Sequence, residues 1–164
     1  MVDDRVLILG IGNDLLGDDA VGLRAADALG DANVAVQATA RSGLALLDAV
    51  VGFKKVLLID SQSTGLPPGA VCEFTLAPAL VRSPSAHYVG YGEALSIAAA
   101  VGLELPDEIR VLAVERSPEV CFGDDLSEPV RDVLPAVVDR ARAIARTWLQ
   151  EGRPSATLTI TPGS

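Results

Sequence analysis

The residues best placed to do chemistry are carboxylates at the ends of apolar runs or in the turns that follow them, Asp18, Asp19, Asp60 and Glu115, together with His87, the chain's one histidine. Asp18 and Asp19 lie in a glycine-bracketed acidic turn, GIGNDLLGDDAVG from Gly10 to Gly22. Gly10 and Gly12 let the backbone bend sharply and approach a ligand, and Asn13 can hydrogen-bond the loop backbone. Asp60 directly follows the apolar residues Val56 to Ile59, and a carboxylate at the end of a buried strand needs a partner. One imidazole nitrogen and two carboxylate oxygens form a donor set suited to a divalent transition metal such as nickel or zinc. Each member also has a plainer role open to it. Asp18 or Asp19 could be a helix N-cap, Asp60 could cap the SQST turn, and His87 could be an ordinary surface or core residue.

The hydrophobic pattern supplies elements that bring these residues to one end of a sheet. Val6 to Leu9, closed by Gly10, reads as a strand buried on both faces, central in a parallel sheet. A helix over Val21 to Leu29 follows, with Asp18 or Asp19 as N-cap and Gly30 as its stop. Val34 to Ala38 predicts a second strand, Leu44 to Val51 a helix ended by Gly52, and Val56 to Ile59 a third strand ending at Asp60. Ala70 to Leu76, entered from LPPG with no helix before it, predicts an antiparallel edge strand. His87 falls in the loop before an alanine-rich helix over Glu93 to Val101, which Gly102 stops, and Ile109 to Val114 is a fifth strand running into Glu115. Ser127 reads as the N-cap of a long final helix with Pro129 in its first turn and a kink at Pro135. The alternation defines an α/β fold: a three-layer sandwich whose mostly parallel, twisted five-stranded sheet has one antiparallel edge strand and helices on both faces. Ligands of such sheets bind beyond the carboxyl ends of the strands, where these polar groups collect.

At 164 residues the chain suits one domain, placed at 1–150, with a flexible tail over 151–164. Thirteen basic against twenty-two acidic residues give a net charge of −9, which speaks against nucleic acid as a partner. Cys72 and Cys121 show no metal-ligand spacing, so reduced thiols are expected. The start MVDDRVLILG carries acids where a signal peptide is basic, and its apolar run is too short to span a bilayer. A cytoplasmic protein with no membrane association is expected.

With these residues in place, the sequence resembles the hydrogenase maturation endopeptidases, which remove a C-terminal extension from the large subunit of nickel-iron hydrogenases. The likeness spans about residues 5–150 and is strongest in GIGNDLLGDDAVG, similar to the family's opening strand, G-x-G-N, short apolar stretch, two acids and later glycine. VLLID at Asp60 and SPSAHYVGYGEAL at His87 resemble the family's aspartate after the third strand and its histidine before a helix. The resemblance implies Asp19, Asp60 and His87 as the metal-contacting and catalytic residues, and Glu115 in AVERSP is similar to a family glutamate. Two segments depart from the pattern. QATARSG at Gln37 to Gly43 replaces an acid and a glycine-threonine segment and carries Arg41, and Ser85 and Ala86 separate the Ser-Pro pair from His87.

The resemblance further implies that nickel is delivered by the substrate, the precursor of a nickel-iron hydrogenase large subunit. A monomer is expected. Other divalent metals could substitute for the nickel. With His87 on the metal there is no Ser-His-Asp or Cys-His nucleophile, so hydrolysis falls to a water activated by the metal or by a carboxylate such as Asp19. One alternative is a nickel-checking partner that binds the large subunit without cutting it. A nucleotide-binding domain is the other, and it fits less well: the third glycine of G-x-G-x-x-G would fall on Leu15, and two acids open the helix where phosphate would sit.

Overall fold

The computed structural model describes residues 3–41, 43–76, 86–119, 122–123 and 125–152, and for 3–4, 43–44 and 86–92 the backbone alone. The expected tail falls largely outside the described residues, as does Cys121, while Cys72 carries a free thiol.

The apolar runs VLIL, VLLI and VLAV become the hearts of β1 (Asp3–Ile11), β3 (Lys55–Gln62) and β5 (Glu108–Glu115). With β2 (Val34–Thr39) and β4 (Val71–Leu76) they form a five-stranded sheet in the order β2-β1-β3-β5-β4. All neighbours are parallel except β4, which pairs antiparallel with β5 as the LPPG entry predicts. Runs without polar alternation suit strands covered on both faces, and β3 lies between β1 and β5 at the centre.

Helices cover the two faces. On one, α1 (Val21–Ala28) and α4 (Glu128–Glu151) pack over Ile8, Leu57, Ile59, Leu112 and Val114. On the other, α2 (Leu47–Val50) and α3 (Ala86–Ala100) pack over Leu7, Leu9, Val56, Leu58 and Val111. Alternate residues of each strand therefore belong to alternate layers. The helix expected over Leu44 to Val51 is a short 3-10 turn, Gly43–Leu46, followed by a single turn of α2. α3 begins at Ala86, not Glu93, and α4 continues through Pro135, which lacks the N–H to bond the carbonyl four residues back. Among the described residues, no helix is long and apolar enough to cross a membrane.

The glycines of the first turn answer to close packing against protein backbone. A Cβ on Gly10 would lie 2.1 Å from the Gly22 carbonyl oxygen, and one on Gly12 would lie 2.0 Å from that of Asp19. Gly22 is pinned in the same way, with the carbonyl oxygens of Ile11 and Ile59 both 2.3 Å from a built Cβ. The start of α1 is thereby laid directly on β1 and β3. The expectation that Gly10 and Gly12 make room for a ligand is replaced by this helix-on-strand contact.

The edge strand is fastened to α4 by charge. Arg140 donates to both carboxylate oxygens of Glu73, Nε to Oε2 at 2.7 Å and Nη2 to Oε1 at 2.8 Å, and Arg110 Nη1 lies 3.4 Å from Oε1. The hydrogen bond from Arg140, aided by the charges of Arg140 and Arg110, outweighs burial and holds the Glu73 carboxyl below its ordinary pKa. A pKa depressed by folding stabilises the protein above the unfolded value and loses that contribution as pH falls through the folded one. Glu73→Gln should cost less than about 1 kcal/mol at neutral pH. The melting temperatures of the two proteins should draw together as pH is lowered from neutral, below the unfolded carboxyl's pKa and through the depressed folded one. A constant difference throughout the acid range would show that the ion pair does not contribute.

Candidate active site

In the order β2-β1-β3, the chain leaves β1 toward one side for β2 and returns to the other for β3, so β1 and β3 diverge at a topological switch point. The turn after β1 and the end of β3 meet there. Asp19 sits in the 3-10 turn Gly17–Ala20, half-buried, and its two oxygens are held from different directions. Asn13 N–H donates to Oδ2 at 3.1 Å, and the Ser61 hydroxyl donates to Oδ1 at 2.7 Å. Asn13 also shapes the turn, its Oδ1 accepting from Leu15 N–H at 3.0 Å.

Asp60 is 2% exposed and accepts the Ser61 N–H on Oδ1 at 2.8 Å. Ser61 therefore joins the two carboxylates, its amide on Asp60 and its hydroxyl on Asp19. Neighbouring strand residues point to opposite faces, so Ser61 reaches the start of α1 while Asp60 belongs to the layer of α2 and α3. Asp60 does not end its strand: β3 continues through Ser61 and Gln62, with Asp60 opposite Ala113 and Gln62 opposite Glu115. Ser61 and Gln62 escape sequence reading because SQST looks like a turn. The pairing with β5 that keeps them extended is a long-range contact.

Asp18 and Asp19 part company. Asp18 is buried and accepts three hydrogen bonds, from Ser127 N–H to Oδ1 at 2.6 Å and, to Oδ2, from Ser117 N–H at 3.1 Å and the Ser127 hydroxyl at 2.8 Å. It ties the exit of β5 to the start of α4. Neither aspartate caps α1, whose N-cap is Ala20 with no side-chain hydrogen bond. Ser127 is the N-cap residue of α4, but its hydroxyl serves Asp18 in place of its own helix. The turn after β3 is held by Glu115, which is 1% exposed. Its Oε1 accepts from the N–H groups of Thr64 at 2.6 Å and Gly65 at 3.0 Å, and its Oε2 from the Thr64 hydroxyl at 2.9 Å.

His87 is the second residue of α3, so it does not lie in a loop before the helix, and its side chain is outside the described residues. The backbone fixes the end of the molecule to which it belongs. α3 finishes at Ala100, and the segment after it returns to the start of β5, with Asp107 N–H bonding Lys54 O at 2.7 Å. Fifteen helical residues span about 22 Å. The first turn of α3 thus stands toward the carboxyl ends of the strands, as Asp60 does. Among the described residues, no group of three His, Cys, Asp or Glu side chains is close enough to hold a metal ion.

No family model matches the chain. The chain is similar to a hydrogenase expression/formation protein HupD of Rhizobium leguminosarum bv. viciae, 31% identical over 153 residues, covering 88% of this chain and 75% of that protein. Its fold is similar to the solved hydrogenase maturating endopeptidase HybD from E. coli, with a TM-score of 0.70 and 25% identity over 88% of this chain and 93% of that one. The chain belongs to the hydrogenase maturation endopeptidase family. A NiFe hydrogenase maturation protease HybD from Thermococcus kodakarensis is also similar, at a TM-score of 0.67 and 28% identity over 86% of this chain and 99% of that one.

For an endopeptidase of this family, the switch point offers a buried and a half-buried carboxylate joined by a serine. The Ser61 hydroxyl is buried and committed to Asp19, so it positions that carboxylate. The first turn also differs from a phosphate cradle, since the N–H of Asn13 is already taken by a carboxylate.

Proposed function

We propose that this protein is an endopeptidase that removes the C-terminal extension of a nickel-iron hydrogenase large subunit once nickel has been inserted, and that it acts in the cytoplasm. Family membership supports the reaction class. The observation that carries the rest is the Asp19–Ser61–Asp60 linkage at the switch point, with His87 at the start of the helix directed toward the same end.

In this reading the nickel belongs to the substrate, and Asp19, Asp60 and His87 complete the coordination of an ion already seated in the precursor. Fixing the ion fixes the peptide bond next to it. As a Lewis acid the nickel polarises the scissile carbonyl. Asp19 is the better placed of the two aspartates to take a proton from water, being less buried than Asp60 and held in one orientation by Asn13 and Ser61. The water oxygen bonds to the carbonyl carbon, the carbon–nitrogen bond breaks, and the departing amine takes up a proton as the new N-terminus of the extension. No acyl-enzyme is formed.

The test is incubation of the purified protein with the precursor in nickel-loaded and nickel-free form, followed by intact mass measurement. The loaded precursor should lose the mass of its extension and the nickel-free one should not. Binding with no loss of mass in either would favour a nickel-checking partner, and equal cleavage of both would remove nickel from recognition.

A further inference from the structure

Gln62 is 4% exposed, and neither its Nε2 nor its Oε1 has a hydrogen-bond partner among the described residues. Burying a primary amide without partners is unfavourable, so a chain that keeps one has either a tolerated defect or a use for it.

Its position argues for use. Val56 and Leu58 of β3 belong to the layer of α2 and α3, and by strand alternation Asp60 and Gln62 continue the same row. Gln62 is therefore the next residue beyond Asp60 on that face, about 6–7 Å further toward the carboxyl end of the strand. Glu115, its partner in register on β5, has both oxygens occupied by Thr64 and Gly65. The strand ends on an amide that no described residue uses.

A primary amide carries one donor group and one acceptor side by side, the pattern a peptide backbone presents in return. We infer that Gln62 is a substrate-binding residue, donating Nε2–H to a peptide carbonyl of the precursor and accepting a peptide N–H on Oε1. The spacing from Asp60 equals about two residues of an extended chain, so the contact falls about two residues from the scissile bond. The amide is already shielded from bulk solvent in the free protein, so bonds to substrate carry little further desolvation cost on the protein's side. Docking must part the side chains around it. The inference rests on the endopeptidase reading and names one specificity-determining contact within it.

Gln62→Met keeps the length of the side chain and removes both polar atoms, and Gln62→Leu is a second apolar replacement in case methionine packs badly. Melting temperature and steady-state processing of the nickel-loaded precursor are measured for both beside wild type. The melting temperature should stay level or rise in at least one variant. In that folded variant KM should rise about tenfold, as expected for two neutral hydrogen bonds, with kcat changed less than about twofold. An unchanged KM in a folded variant would overturn the inference and leave Gln62 as a packing residue. Failure of the endopeptidase reading is separately visible, because wild type itself would then leave the precursor at full length.

Discussion

Asparagine in place of Asp19 should give a protein that folds normally and fails to shorten the nickel-loaded precursor. The hydrogen bonds explain why the fold survives. Of the two donors to this carboxylate, only Asn13 N–H is a fixed backbone group, and the amide oxygen of asparagine can accept it. The other is the Ser61 hydroxyl, which can rotate to accept from the asparagine Nδ2–H in place of donating. Geometry is kept, and the negative charge and the basic lone pair are lost. Loss of a general base alone lowers turnover by roughly 10²–10⁴-fold, and under the proposed function loss of an anionic contact to the substrate's nickel would add to it. Asp60→Asn and His87→Ala should fall in the same class, and melting curves alongside the mass assay separate lost chemistry from lost folding. Retained processing in all three folded variants would remove Asp19, Asp60 and His87 from the reaction.

The legible parts of this fold are those set by local pattern. VLIL, VLLI and VLAV are buried on both faces, and an uninterrupted apolar run announces that without knowledge of the neighbours. The antiparallel edge strand is legible because LPPG leaves too little chain for a crossover helix. The end of β3 is different: Asp60, Ser61 and Gln62 look like the start of a turn, and only pairing with Ala113, Val114 and Glu115 keeps them extended. The early start of α3 is hidden for a related reason. Its first residues include Gly90 and Gly92, poor helix formers whose local preference the tertiary setting overrides.

The placement of the candidate site was more legible than its wiring. The acidic turn and the position of Asp60 point to the switch point, but nothing local says that Ser61 joins the two carboxylates, because the two partners of its hydroxyl bond are 42 residues apart. Gly10 and Gly12 read as room for a ligand, whereas each, like Gly22, lies against a carbonyl of the protein itself. A glycine pattern signals that something comes close and does not identify what.

The same substitution one residue earlier should have the opposite effect, with Asp18→Asn destabilising the protein while sparing its chemistry. Both oxygens of Asp18 accept backbone N–H groups, Ser127 at Oδ1 and Ser117 at Oδ2. Asparagine has one acceptor oxygen, so either orientation of its amide sets Nδ2–H against a backbone N–H that cannot rotate away. The residue is buried, and the displaced donor has little access to water in exchange. One opposed donor and a broken charge-assisted network cost about 2–4 kcal/mol, a substantial part of the 5–15 kcal/mol that holds a domain together. For a chain of this size that corresponds to a fall in melting temperature of about 5–15 °C. Asp18 faces the β5 exit and the start of α4, with no hydrogen bond to Asp19 or Asp60 among the described residues. At a temperature where the variant is folded, kcat/KM on the nickel-loaded precursor should therefore stay within about threefold of wild type, an effect below about 1 kcal/mol. An Asp18→Asn protein that melts with wild type, or one that is folded and inactive, would mean that the two aspartates share one task and that the division between fastening and chemistry drawn from their hydrogen bonds is wrong.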